Sequence, residues 1–291
     1  MIEAYLIHLL ILIGIYVILA VSLNLALGYT GLLNLGHIAF FGVGAYTSAL
    51  LTKSLGVPFP VAFIAAGLFA GLFGFILILA TKKLKGDYLA LATLGFSFVV
   101  YSLLLNWTSL TKGPLGIPGI QKPSFFGLAI SSNVSFLIFV AIVCVVSCFI
   151  IYKIIKSPFG RLLEASRDDE VGLKVLGKNT FKLKAKAMIV SAFFAGIAGS
   201  LFAHYISFID PSSFYITDLI LILTIVIAGG IASFKGSIVS TFIIILIPEG
   251  LRFFEMPSSI LGPARQIIYA LILLGILMLR PKGLFGRVDL E

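Results

Sequence analysis

The run YLIHLLILIGIYVILAVSLNLAL, residues 5–27, contains no charged side chain and only a few polar ones. It exceeds the roughly 20 residues that an α-helix needs to cross a hydrocarbon core about 30 Å thick. Further apolar runs occupy residues 61–81, 88–106, 135–155 and 266–279. Because only helices with internal hydrogen bonds tolerate lipid, the sequence predicts an all-α integral membrane protein, a polytopic bundle of about 8–10 transmembrane helices.

Charge placement predicts the orientation. Three hydrophilic tracts hold most of the net charge of +9: residues 82–87, 153–186 and 280–291. The other connections carry little or no positive excess: residues 108–130, 209–218 and 249–265. The positive-inside rule places the first set in the cytosol and the second outside, which gives about nine crossings with a cytosolic carboxyl terminus and an outward amino terminus. Topology and contact with the lipid bilayer explain the basic balance better than nucleic acid does.

The segment GYTGLLNLGHIAFFGVGAYTSALL, residues 28–51, is apolar but interrupted by Gly, Asn and His. Such interruptions predict one discontinuous helix buried among the others, because irregular backbone at membrane depth must be covered by protein. If the segment re-enters without crossing, the amino terminus lies on the other side.

Polar residues inside apolar spans are costly, which makes them functional candidates. The candidates for a substrate pathway are Asn24, Asn34, His37, Thr93 and Ser97. For Asn34 and His37 the alternative is that they satisfy backbone groups freed by the broken segment.

Residues 153–186 form the one long hydrophilic tract, with nine basic and four acidic residues. Ser157 followed by Pro158 predicts the start of a short helix that ends near residue 165. Ser166 then predicts the cap of a second helix, with acidic residues in its first turn and Gly177 just beyond its end. We interpret the pair as a docking element for a cytosolic partner; the alternative is an amphipathic pair lying passively on the membrane surface.

Nothing in the sequence supports catalysis. The string GLKVLGK, residues 172–178, resembles a phosphate-binding loop but has Asn179 where Ser or Thr is required. We find no Ser/His/Asp order and no metal-ligand spacing, so the sequence predicts no enzyme, no metal and no cofactor. The Gly- and Pro-rich residues 108–130 predict a turn-rich, non-helical outward loop.

Six motifs in order resemble the M-type permease subunits of ATP-binding-cassette importers for branched-chain amino acids: residues 28–51, GDYLALATLGF (86–96), LTKGPLGIPGI (110–120), AFFAGIAGSLFAHYISFIDPSSF (192–214), AGGIASFKGS (228–237) and RPKGLFG (280–286). The resemblance covers almost the whole chain. It implies a single transmembrane permease domain over residues 1–291, a multi-pass protein of a prokaryotic inner membrane. It also implies a second permease subunit, two cytosolic ATPase subunits that hydrolyse the ATP, and an external solute-binding protein.

Residues 157–177 of this chain resemble the loop that, in that family, couples the permease to its ATPases. Glu164, Ala165 and Gly172 match the family's E-A-A and following Gly, whereas Ser166 replaces the second Ala. The coupling candidates are therefore Ser157, Pro158, Arg161, Glu164, Ala165, Ser166 and Gly172. The implied cargo is Leu, Ile and Val, moved by alternating access. The alternatives are a relative carrying urea, short amides or another amino acid, and a stand-alone channel or secondary transporter.

Overall fold

The computed structural model of the chain describes residues 2–125, 128–130, 132–249, 258–280 and 282–286. Its α-helices are α1 Ile2–Leu27, α2 His37–Ser54, α3 Phe59–Ala80, α4 Gly86–Asn106, α5 Thr108–Thr111, α6 Asn133–Lys156, α7 Pro158–Asp168, α8 Glu170–Val175, α9 Thr180–Ile206, α10 Ile216–Gly229, α11 Phe234–Glu249 and α12 Ser258–Leu279. Short 3₁₀ turns occupy Gly113–Leu115 and Pro211–Phe214. The strands are β1 Ile117–Pro118, β2 Ser124–Phe125, β3 Leu128–Ala129 and β4 Phe208–Ile209.

Six helical spans in the described residues are long and apolar enough to cross a membrane: Glu3–Leu27, Phe59–Ala80, Gly86–Asn106, Asn133–Lys156, Thr180–Ile206 and Pro211–Gly229. Two shorter apolar helices cover Phe234–Ile247 and Gly262–Ile276. The protein is therefore an all-α polytopic membrane protein, as the sequence predicts. α12 begins at Ser258, so the prediction that residues 258–265 belong to a connection is wrong. Pro263 lies inside α12, where it removes one backbone hydrogen bond of the helix.

α1 and α9 form the centre of the bundle. The side chains of Ile11, Ile15 and Ile18 in α1 are fully buried. α9 packs closely against α2 and α3, and a Cβ at Gly199 would meet the backbone of Phe41 and Ala45. Close backbone approach of this kind stabilises helix association in lipid, where the hydrophobic effect gives no preference for helix over acyl chain.

The chain leaves helical geometry at residues 28–36, which we call the first break. α1 ends at the same end of the bundle as α7 and α8, and we call this the charged end. His37 begins α2 beside Leu19 and Ser22, which lie about 8–12 Å inside the end of α1 at 1.5 Å per residue. α2 then runs to the opposite end. The predicted discontinuous segment is present, and it crosses the bundle.

A second break, residues 207–215, was not predicted. α9 ends at the opposite end, where the Tyr205 hydroxyl lies 2.6 Å from Nδ1 of His8. Asp218, in the first turn of α10, accepts a hydrogen bond at 3.4 Å from Tyr16, about 12 Å deeper along α1. Residues 209–218 therefore turn into the bundle from the opposite end; the charges predicted only that this connection faces outward. The aromatic ring of Phe214 explains the entry, since it packs 5.4 Å from the ring of Phe41.

The two breaks have opposite orientations. α1 ends at the charged end and α2 starts inside the bundle, whereas α9 ends at the opposite end and α10 starts inside. Transporters built from inverted-topology repeats commonly pair discontinuous helices in this way. In the described residues, nine helices run along the bundle: α1, α2, α3, α4, α6, α9, α10, α11 and α12. The number of crossings predicted from the charges stays a prediction, since six spans and two shorter apolar helices qualify in the described residues.

The loop at residues 108–130 is rich in turns, as predicted, but it is not free of helix. α5 forms one turn before the first proline and ends at Lys112, whose φ of 64° is left-handed. β1 pairs with β4 in antiparallel register, with Ile117 opposite Ile209. This pairing ties the loop to the start of the second break.

Candidate functional site

Hydroxyl groups of α4 hold the first break. Thr93 Oγ1 accepts a hydrogen bond from the N–H of Leu35 at 3.0 Å and lies 3.2 Å from the carbonyl oxygen of Leu33. Ser97 Oγ donates to the carbonyl oxygen of Leu35 at 3.0 Å. Non-helical backbone inside a membrane needs a partner for each polar group, and these two candidate pathway residues supply partners.

Asn34 and His37 also bond within the protein, and both are fully buried. Asn34 Oδ1 accepts from the N–H of Gly36 at 2.9 Å. His37 Nε2 lies 3.0 Å from Oγ of Ser22 and 3.2 Å from the carbonyl oxygen of Leu19. Its Nδ1 has no hydrogen-bond partner among the described residues. These contacts fit the alternative in which both residues support the protein around the break.

Asn24 connects α1 to the turn between α10 and α11. Its Nδ2 donates to Ser237 Oγ at 2.7 Å and to the carbonyl oxygen of Ser233 at 3.1 Å. Its Oδ1 accepts from the N–H of Ala232 at 3.0 Å. Ala232 has a left-handed φ of 58°, which a residue with a Cβ adopts only when its surroundings hold it there. Asn24 therefore stabilises this turn, and it lies against Gly28, the first residue of the first break.

The predicted start of the charged tract's first helix is confirmed. Ser157 caps α7 by accepting from the N–H of Gly160 at 3.3 Å, and Pro158 occupies the first helical position. The predicted end near residue 165 is wrong, because α7 continues to Asp168.

Ser166 does not cap the second helix. It is buried inside α7, and its Oγ has no partner in the described residues. Asp169 caps α8 instead, with extended backbone and a carboxylate that accepts from the N–H of Gly172 at 2.9 Å. A carboxylate also interacts favourably with the helix dipole, which explains the choice of Asp169. Gly177, with a φ of 74°, follows the end of α8 as predicted.

Glu170 joins α8 to α9. Its carboxylate lies 2.8 Å from the Nζ atoms of both Lys174 and Lys184 and accepts from Thr180 Oγ1 at 3.1 Å. Partial burial would raise the pKa of Glu170, but the hydrogen bonds from the two lysines and Thr180 and the charge of Lys184 together lower it to about 2. The carboxylate is therefore charged at neutral pH and fixes the orientation of α8.

α8 exposes three large apolar side chains at the charged end. Val171 is 68% exposed, Val175 is 83% exposed and Leu176 is 76% exposed. We call these three residues the apolar tip. The sequence carries a signal for this tip, since three branched apolar residues in a charge-rich tract cannot all face a small core. An exposed apolar cluster rimmed by charges is typical of a protein–protein contact.

α7 contacts the first break through Arg167. Nη1 of Arg167 donates to the carbonyl oxygen of Gly28 at 2.9 Å. Its stem covers Gly31, where a Cβ would lie 2.9 Å from Cγ of the arginine. Nε of Arg167 bonds the neighbouring Asp168 at 2.8 Å. Sequence reasoning missed the contact because 139 residues separate Arg167 from Gly28.

The remaining coupling candidates lie on the outer part of α7. Arg161 and Glu164 line a cleft of about 610 Å³ together with Lys156 and Lys235, and neither forms an ion pair in the part of the chain that the structure describes. Ala165 is exposed. These side chains are free to meet a partner at the charged end. No cluster of three or more potential metal ligands occurs in the described residues.

The bundle, its two buried breaks and the charged tract define a polytopic membrane protein with one polar end suited to docking. The family model for the branched-chain amino acid transport system permease component matches residues 5–280. The chain therefore belongs to this family.

Relatives include the high-affinity branched-chain amino acid transport system permease protein LivM of Escherichia coli K12, 38% identical over 93% of this chain and 67% of the relative. The probable LivM of Methanocaldococcus jannaschii is 26% identical over 93% of this chain and 90% of the relative. The permease protein LivH of Escherichia coli K12 is 22% identical over 95% of this chain and 92% of the relative. No solved structure matches the chain.

Proposed function

We propose that this chain is one of two different membrane subunits of an ATP-driven importer of leucine, isoleucine and valine. The names of its relatives support the cargo, and the higher identity to LivM than to LivH supports an M-type subunit. The partners are a second permease, two cytosolic ATPases and an external solute-binding protein.

The apolar tip of α8 is the observation that carries the coupling role. Full burial of an aliphatic side chain stabilises a contact by about 1.5–3 kcal/mol. Leaving Val171, Val175 and Leu176 in water forgoes that stabilisation, which supports a partner that covers them. Docking of an ATPase on α7 and α8 does so, and the exposed Arg161 and Ala165 lie next to this contact on α7.

The proposed orientation of the chain in the membrane rests on the same docking surface of α7 and α8. The charged end faces the cytosol, where ATP and the ATPases are, and this choice obeys the positive-inside rule. The carboxyl-terminal residues 282–286 pack on this end, because the N–H of Leu284 bonds the carbonyl oxygen of Ala228 at 2.9 Å. This contact supports a cytosolic location for residues 282–286.

The mechanism is alternating access. ATP binding closes the ATPase pair, α7 and α8 move with it, and the permease pair opens outward; hydrolysis resets it inward. The breaks are the parts of the bundle suited to change shape, because they lack the continuous hydrogen bonds of a helix. The polar residues Asn34, Thr93 and Ser97 bond the first break in the conformation described above.

Reconstitution tests the function. The chain is combined with its second permease and ATPases in vesicles, and uptake of radiolabelled leucine is measured with a loaded binding protein and ATP inside the vesicles or outside them. We expect uptake only when ATP is on the side of the charged end, with competition by isoleucine and valine. Uptake of urea with no uptake of leucine, or leucine uptake without ATP, would contradict the proposal.

A further inference from the structure

The contact between Arg167 and the first break joins the docking surface to the membrane interior. α7 lies at the charged end, and the backbone of Gly28 is where α1 stops being a helix. The 2.9 Å hydrogen bond from Nη1 of Arg167 is directed at that point. With its side chain 16% exposed, the arginine is largely screened from water, so the bond is stronger than one on an open surface.

Arg167 contacts the first break at two points. Its guanidinium group bonds the carbonyl oxygen of Gly28, and its aliphatic stem packs over Gly31. Gly31 has a φ of 69°, a conformation that glycine adopts without strain, and it leaves the space that the stem fills. Asp168 bonds Nε and fixes the plane of the guanidinium group. A displacement of α7 therefore shifts the start of the break.

Through Gly28, the Arg167 contact is also connected to the turn between α10 and α11. Gly28 lies against Asn24, since a Cβ at Gly28 would collide with the Asn24 side chain and with the N–H of Ala232. Asn24 holds that turn through Ala232 and Ser233. One contact chain thus runs from α7 through Gly28 and Asn24 to the end of α10, the half-helix that follows the second break.

We infer that Arg167 is a positioning residue that transmits movement of α7 to the first break and, through Asn24, to the end of α10. The inference rests on the proposed docking of an ATPase at α7 and α8. It assigns to Arg167 a role different from docking itself, because its guanidinium group points into the bundle.

The test uses the complete importer in vesicles with Arg167→Met, which keeps the stem but removes every hydrogen-bond donor. We expect ATPase association and ATP hydrolysis to persist, while leucine uptake per ATP falls by at least about tenfold, the scale of a lost hydrogen bond to a charged group. Arg167→Lys, which keeps the charge and can donate to one oxygen, should restore part of the ratio. Lys182→Met, which removes an exposed positive charge from α9 at the same end, is the matched control.

Hydrogen exchange of the complex gives a readout independent of transport. In the wild type, addition of a non-hydrolysable ATP analogue should change the exchange of amides in residues 28–36. In Arg167→Met this change should disappear, while the protection of α7 and α8 by the ATPase remains.

Three results would overturn the inference: unchanged uptake per ATP in Arg167→Met, loss of ATPase association in proportion to the loss of uptake, or an unchanged response of residues 28–36 to the nucleotide. If Arg167→Met fails to assemble, Arg167→Lys and its exchange pattern decide between the same outcomes. Failure of the wild-type chain to bind any ATPase would instead contradict the proposed function.

Discussion

Replacing Asn24 by leucine tests whether the turn between α10 and α11 depends on this side chain. The substitution keeps the approximate size but leaves the N–H of Ala232 without its acceptor, whereas the carbonyl oxygen of Ser233 still accepts from the N–H of Ser237 at 3.1 Å. A buried backbone group left unpaired costs about 1–3 kcal/mol. The single unpaired N–H therefore gives a destabilisation of about 1–3 kcal/mol. Ala232, in its left-handed conformation, loses the contact that holds it.

Thermal unfolding of the purified chain in detergent measures the effect. We expect a lower midpoint for Asn24→Leu, by roughly 2–12 °C at 2–4 °C per kcal/mol for chains of about this size. Asn106→Leu is the control, because Asn106 is exposed and bonds only the carbonyl oxygen of Ser102 in its own helix. Equal midpoints for the two variants would refute the reasoning.

Three further predictions concern the break, the orientation and Glu170. Asn34→Leu should lower both thermal stability and uptake, because it frees the N–H of Gly36 in the break; reduced uptake with normal stability would instead place Asn34 in the substrate path. A cysteine at Ser124 should react with an impermeant thiol reagent from outside intact cells, whereas one at the exposed Lys178 should not, and the reverse labelling would contradict the orientation. The low pKa of Glu170, about 2, means that its ion pairs add stability that is fully present above the ordinary pKa near 4.5 and is lost as the pH falls towards 2. The difference in unfolding midpoint between the wild type and Glu170→Gln should therefore be constant at neutral pH and shrink over that window, and a difference that grows there would contradict the ion-pair assignment.

The apolar runs and the charge distribution were sufficient to predict the class of fold and the first break. Hydropathy identifies residues 5–27 as a span, and glycine with asparagine and histidine indicates where the next one is interrupted. The second break escaped prediction because residues 207–215 read as an ordinary loop with Pro211 and two serines. Only the packing of Phe214 against Phe41 shows that this loop enters the bundle.

Some helix boundaries in the charged tract were predictable, but the contacts made by its side chains were not. Ser157 and Gly177 mark helix boundaries by local rules, so the sequence was enough to place them. Ser166 and Asp169 both have side chains that can cap a helix, and the choice between them depends on which side of α7 is buried. The Arg167 contact joins distant parts of the chain, and a local pattern cannot indicate it. A large residue at Gly172 would collide with the Asp169 carboxylate and damage the cap of α8.

The measurement that tests the central claim most directly is the affinity of the ATPase pair for the permease pair, with and without the apolar tip. The variant carries Val171→Ser, Val175→Ser and Leu176→Ser; the control carries Leu55→Ser and Leu115→Ser, which are exposed at the opposite end. If each apolar side chain contributes about 1.5 kcal/mol, the tip variant should bind the ATPases roughly a thousandfold more weakly, and the control should bind as the wild type does. Equal affinity for the tip variant and the wild type would contradict the account, because α8 would then have no part in coupling.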